Sequence, residues 1–156
     1  MNAIASGNYL PLIPHAEPCG AVKCGNPLRA YQQKLVLNQP MMWEVVNKLK
    51  SFAELVHGWD GDQAPAICPN VIAAVRDLIV NYADLIASPF FVVLTLEGGV
   101  QLEWRRGSRE LELELINPFQ IEYLFTDEDK GVSEENTFAL NDESLIRELI
   151  TRVNGG

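Results

Sequence analysis

FFVVLTLEGGVQLEWRRGSRELELELINPFQIEYLF, residues 90–125, decides the fold. It breaks into four short runs separated by turn signals, and each run alternates with a period of two, the spacing at which successive side chains point to opposite faces of a sheet. Val100, Leu102 and Trp104 share one face and Gln101, Glu103 and Arg105 the other. Leu111, Leu113 and Leu115 interleave with Glu110, Glu112 and Glu114, and Ile121, Tyr123 and Phe125 with Gln120 and Glu122. The pattern predicts a four-stranded antiparallel meander with one face on a core and the other turned to water or a partner.

The turns set a register. Gly107-Ser108 suits a two-residue type II′ hairpin, with glycine where φ must be positive. That register pairs Trp104 with Leu111, Leu102 with Leu113 and Val100 with Leu115. It also places Arg105 opposite Glu110 and Glu103 opposite Glu112. A three-residue loop at Asn117-Pro118-Phe119 then places Glu114 opposite Glu122. Like charges facing across a ladder destabilise it by up to about 1 kcal/mol per pair. The acidic face has two readings. One is a solvated surface whose repulsion is screened over about 8 Å. The other is a recognition surface for a basic partner, with Glu103, Glu112, Glu114 and Glu122 at its centre, Phe91 and Val93 on one margin and Leu124 at the far edge.

Outward from the meander, Met42, Val45, Val46, Leu49, Phe52 and Val56 fall at helical spacing, with Gly58 where a C′ glycine belongs. A second helix starts at Pro69, favoured at N1, and runs to about Ser88. A third follows Asn141 as N-cap, with Leu145, Ile146, Leu149, Ile150 and Val153 on one face. These stripes read as core stripes. The expected fold is a two-layer α+β domain in the order α-α-β-β-β-β-α, spanning residues 41–156. Residues 1–40 hold five of the nine prolines and read as an extended arm, in which Tyr31 to Leu37 is a candidate strand that would pair with a sheet edge and cover Phe91 and Val93; the alternative reading is a mobile arm that orders on a partner.

The net charge of −9 is unevenly placed: +2 over residues 1–40, −3 over 41–88 and −8 over 89–156. Such a balance argues against direct nucleic-acid binding, which needs clustered Lys and Arg. No leader pattern and no long apolar run is present, so a soluble, cytoplasmic protein without membrane contact is expected. Cys19, Cys24 and Cys68 are expected to be reduced thiols. His15, Cys19 and Cys24 form H-x3-C-x4-C, which supplies three of the four ligands of a structural zinc, but the spacing is not one of the common zinc patterns. No metal or other cofactor is assigned.

His57-Gly58-Trp59-Asp60-Gly61-Asp62-Gln63-Ala64-Pro65 lies between the first two helices. As a structural turn, Trp59 plugs the end of the helix pair, Asp60 closes an Asx-turn and Gly61 takes a positive φ. As a ligand or metal site it would use His57, Asp60 and Asp62, without calcium-loop spacing. Cysteine catalysis by Cys68 with His57 lacks an evident oxyanion hole, and acid–base work by Glu103 with Glu112 needs a concave, desolvated site. No catalytic residue is assigned.

The segment GWDGDQAPAICPNVIAAVRDLI, followed by GGVQLEW, an alternating acidic strand and IEYLF, resembles small uncharacterised bacterial proteins. Those proteins carry a GWDGYGA-like turn, a helix and a Gly-Gly-x-x-Leu-Glu-Trp hairpin. Trp59, Asp60, Gly61 and Ala64 match the turn, where Asp62 and Gln63 replace an aromatic and a glycine; Gly98, Gly99, Leu102, Glu103 and Trp104 match the hairpin. The resemblance spans roughly residues 50–153 and leaves the arm outside it. It implies an α+β fold, a bacterial or mobile-element setting and a role in toxin neutralisation or defence. Together these readings describe a non-catalytic interaction protein that blocks a basic partner, with two alternatives: a ligand- or metal-binding enzyme domain at the Trp59–Asp60 turn, or a homodimer.

Overall fold

The computed structural model describes residues 40–86 and 90–155. The described residues form an α+β fold of three helices and one five-stranded antiparallel sheet. In chain order the elements are α1 (Pro40–Ala53), α2 (Pro69–Asn81), β1 (Phe90–Leu94), β2 (Val100–Arg106), β3 (Arg109–Asn117), β4 (Gln120–Asp127), β5 (Val132–Ala139) and α3 (Glu143–Asn154). The strands lie side by side in sequence order, so every connection within the sheet is a hairpin. The expected arm, its candidate strand at Tyr31 to Leu37 and the group His15, Cys19 and Cys24 fall outside the described residues.

The β2–β3 register is the one the Gly107-Ser108 turn dictates: Val100 faces Leu115, Leu102 faces Leu113 and Trp104 faces Leu111. Gly107 has φ of 62° and Ser108 does not enter the left-handed region, the signature of glycine at the first central position of a II′ turn. At the next hairpin Glu114 faces Glu122 while Asn117 faces Gln120. A register shift between Glu114 and Asn117 takes up one residue, so the loop is the two residues Pro118-Phe119 rather than three. The Asn117 side chain accepts from the amides of Phe119 and Gln120 and closes that loop.

A fifth strand corrects the expected four, giving α-α-β-β-β-β-β-α. Its positions in phase with the inner face of β4 are Val132, Glu134, Asn136 and Phe138, of which only the two end residues are apolar and pack on the core. Period-two hydrophobicity is therefore absent. Glu134 is accommodated because Arg152 of α3 grips it with two hydrogen bonds of 2.9 and 3.0 Å and lies 4.1 Å from the Phe125 ring centre. These bonds hold the Glu134 carboxyl below its ordinary pKa.

The helices pack on one face of the sheet. Val45, Leu49 and Phe52 of α1, Val71, Val75, Leu78 and Ile79 of α2, and Ile146, Leu149, Ile150 and Val153 of α3 meet the inward rows of the strands in one core. The helix ends differ from those expected. α1 stops at Ala53, where Glu54 and Leu55 donate back three residues in a tightening turn, and Val56 is exposed. Gly58 keeps a positive φ but belongs to the following loop. α2 ends at Asn81; the stripe continues through Tyr82 and Ile86 in turns, and Asn154 of α3 donates to the Leu85 carbonyl. The N-cap of α3 is Asp142, whose carboxylate accepts from the Leu145 amide, one residue beyond Asn141.

Asp127, at the end of β4, is 3% exposed. Ser108 donates to it at 3.2 Å, and Arg109 and Lys130 approach at 3.7 and 3.6 Å. Burial of this charge is compensated from three directions, and the same Arg109 donates to the Arg152 carbonyl near the end of α3.

Candidate functional site

The outer face of the sheet is built by the alternation that builds the core. Cross-strand pairing produces one row running Phe91, Glu103, Glu112, Leu124, Glu135 and another running Val93, Gln101, Glu114, Glu122, Thr137. The expected oppositions of Glu103 with Glu112 and of Glu114 with Glu122 are both present. A shallow depression of about 450 Å³ lies over this surface, lined among others by Glu112, Glu114, Glu122, Glu135 and Thr137.

Neutralisation is sparse. Arg105 pairs with Glu110 at 2.9 Å, and Gln101 donates to Glu103 at 3.1 Å. Among the described residues no ion pair reaches Glu103, Glu112, Glu114, Glu122 or Glu135. Partial burial, followed by the charges of Glu103, Glu110 and Glu114, raises the Glu112 carboxyl above its ordinary value of 4.5. One oxygen of Glu114 is buried without a hydrogen-bond partner. It sits against Gly99, where an added Cβ would lie 3.1 Å from it and 2.8 Å from the Thr95 hydroxyl. Gly99 is thus needed for close approach, a requirement visible only once β3 is laid beside the first hairpin.

A carboxyl with a raised folded pKa holds its proton more tightly in the folded chain than in the unfolded one. Stability is therefore higher below the raised value and declines as pH rises through it. Glu112→Gln should be more stable than the parent at neutral pH by up to about 1 kcal/mol, or about 2–4 °C in Tm. The difference should close as pH falls below 4.5, where the parent carboxyl is neutral in both states. Thermal melts of both proteins across that range check it, and a Glu112→Gln variant less stable at pH 7 would contradict the repulsion.

The apolar margins are not symmetric. Phe91 is 65% exposed beside Glu103, and Val93 is half-buried beside Gln101. Leu124 does not lie at an edge: β5 pairs beyond it, and it sits half-buried between Glu112 and Glu135. The fifth strand extends the acidic surface with Glu135 and leaves the apolar margin on the β1 side alone. Glu135 is absent from the expected set because its strand carries no alternation.

The Trp59 turn is a separate, self-closed loop. Asp60 accepts from the amides of Asp62 at 3.0 Å and Ala64 at 3.2 Å, Gly58 donates to the Ala64 carbonyl at 2.8 Å, and Gly61 has φ of 88°. The hydrogen bond donated by the Asp62 amide is the chief cause holding the Asp60 carboxyl below its ordinary pKa. Trp59 does not plug the helix pair; it is half-buried, stands apart from the core and donates its indole N–H to the Pro65 carbonyl at 3.1 Å. Pro65 in turn abuts Gly98, so the turn and the Gly-Gly hairpin, distant in sequence, touch in space. Cys68, just before α2, is disulfide-bonded, where a reduced thiol is expected from the sequence. Among the described residues no group of three or more His, Cys, Asp or Glu is arranged to hold a metal ion. Nor is any helix among them long and apolar enough to cross a membrane. No protein family, curated protein or solved structure matches the chain.

Proposed function

We propose that the protein is a non-catalytic interaction module whose outer sheet face docks on a basic patch of another protein and blocks it. The observation carrying this reading is the uncompensated carboxylate surface: Glu112, Glu135 and the directly opposed Glu114 and Glu122 share one shallow depression, and Glu103 stands opposite Glu112. Each opposed pair works against folding, and a cationic partner would relieve that repulsion. The carboxylates would govern association rate and specificity, and Phe91 with Val93 would supply apolar anchorage at one margin. The resemblance of the GWDGDQAP turn and GGVQLEW hairpin to small bacterial proteins supports an antitoxin or defence inhibitor of bacterial or mobile-element origin as the biological form of this activity.

Affinity capture from the native host with the intact protein and with a Glu103→Lys, Glu112→Lys double variant tests it. A basic protein held by the intact form is expected to be lost with the variant, to associate more slowly as salt rises, and to dissociate faster from Phe91→Ala. Equal capture by the intact and charge-reversed proteins, both folded, would exclude this face.

A further inference from the structure

The two edges of the sheet are built differently. β5 carries Glu134 and Glu135 in mid-strand, the kind of charge that discourages strand addition. β1 reads FFVVL, with no charge, proline or bulge, and among the described residues it pairs on one side only, with β2. The Thr95 amide donates to the Gly99 carbonyl at 3.1 Å, which sets the phase of the antiparallel ladder. Residues 91, 93 and 95 bond toward β2, so the backbone N–H and C=O of Phe90, Val92 and Leu94 point to the other edge. Among the described residues nothing pairs with them.

We propose that this edge is completed by β1 of a second copy of the chain, the two strands running antiparallel about a two-fold axis at Val92. The strand matches itself under that operation. Val92 meets Val92 of the copy and Phe90 meets Leu94, so every edge-facing amide and carbonyl of the five-residue strand finds a partner. On the outer face Phe91, 65% exposed in the single chain, comes opposite Val93 of the copy in a non-hydrogen-bonded pair, the closer kind, which shields one side of the ring. A cationic strand gains little from this edge, because β1 itself offers no charge to meet it. Self-repulsion does not prevent the pairing: Glu103 of the two copies stand three strand spacings apart, about 14 Å, beyond a screening length of about 8 Å. The product is a continuous ten-stranded sheet with an apolar stripe between two acidic fields. The inference rests on the strand edge and holds whether or not the acidic face takes a partner.

Sedimentation velocity of the full chain alone, from micromolar to millimolar concentration, should give twice the chain mass at the upper end. Phe91→Lys places a charge on the edge and a favourable partner opposite Glu103, so it should remain folded and sediment as a monomer. Glu135→Lys, on the outer face of β5, should remain dimeric. Amide exchange gives an independent reading. Phe90, Val92 and Leu94 should exchange about tenfold or more slower as concentration rises, while Phe91 and Val93, already bonded to β2, should not change. A parent that stays monomeric, a Phe91→Lys variant that stays dimeric, or concentration-independent exchange at Val92 would each overturn the proposal.

Discussion

Leu113→Ala is expected to remove about 3–4 kcal/mol of folding stability, on the order of 10 °C in Tm. Leu113 lies at the middle of β3, the central strand, paired with Leu102 on one side and Tyr123 on the other, and is 0% exposed. Both α2 and α3 pack on β3, so the cavity is roofed by helices from two parts of the chain and can collapse only in part. That places the loss in the upper half of the range seen for leucine truncations, where transfer and cavity contributions add. The contrast is Phe119→Ala in the β3–β4 loop. A larger side chain is removed there, but it is 75% exposed, and a change within about 0.5 kcal/mol is expected. Urea unfolding of both variants is the check. Equal effects, or a loss below about 1 kcal/mol at Leu113, would place the core elsewhere.

The contrast between these positions also explains what could be read from the residues alone. β2, β3 and β4 were legible because one face is almost wholly aliphatic or aromatic and each turn carries its own chemistry; Gly107 and Asn117 then set a register that a one-residue slip would invert. The opposed glutamates followed from that register. β5 was hidden because Glu134 occupies an inward-phase position and is accommodated by Arg152 from α3, a residue 18 positions away with no local signal linking the two. Only with that strand in place does Leu124 lie inside the sheet and Glu135 join the acidic surface. Helix ends were off by several residues for a related reason. Hydrophobic spacing continues through Ile86 after the regular helix has ended at Asn81, because the turns that follow bury side chains too. The partner of Trp59 is a backbone carbonyl six residues on, which no side-chain pattern records.

Gly98→Ala is the second large effect, and it tests whether the Trp59 loop and the first hairpin are one structural unit. Gly98 has φ of 85°, where an L side chain adds about 1–2 kcal/mol. The new methyl would also lie 2.8 Å from Pro65 Cγ, closer than carbon atoms pack, and relieving such overlap costs about 1–3 kcal/mol. A total near 3 kcal/mol is expected, measured as a shift in urea midpoint with unchanged m-value. The two contributions separate in a double-mutant cycle. Pro65→Ala removes the ring that the methyl strikes but leaves the backbone strain, so Gly98→Ala in that background should recover about 1 kcal/mol or more. The Gly61→Ala variant supplies the comparison, since Gly61 has nearly the same φ, 88°, and nothing within 4 Å of the added Cβ. It should lose only the backbone contribution. If Gly98→Ala and Gly61→Ala cost the same, the loop and the hairpin are merely adjacent; a coupling of about 1 kcal/mol means that Pro65, held by the Trp59 indole through its carbonyl, is packed against the hairpin that starts β2.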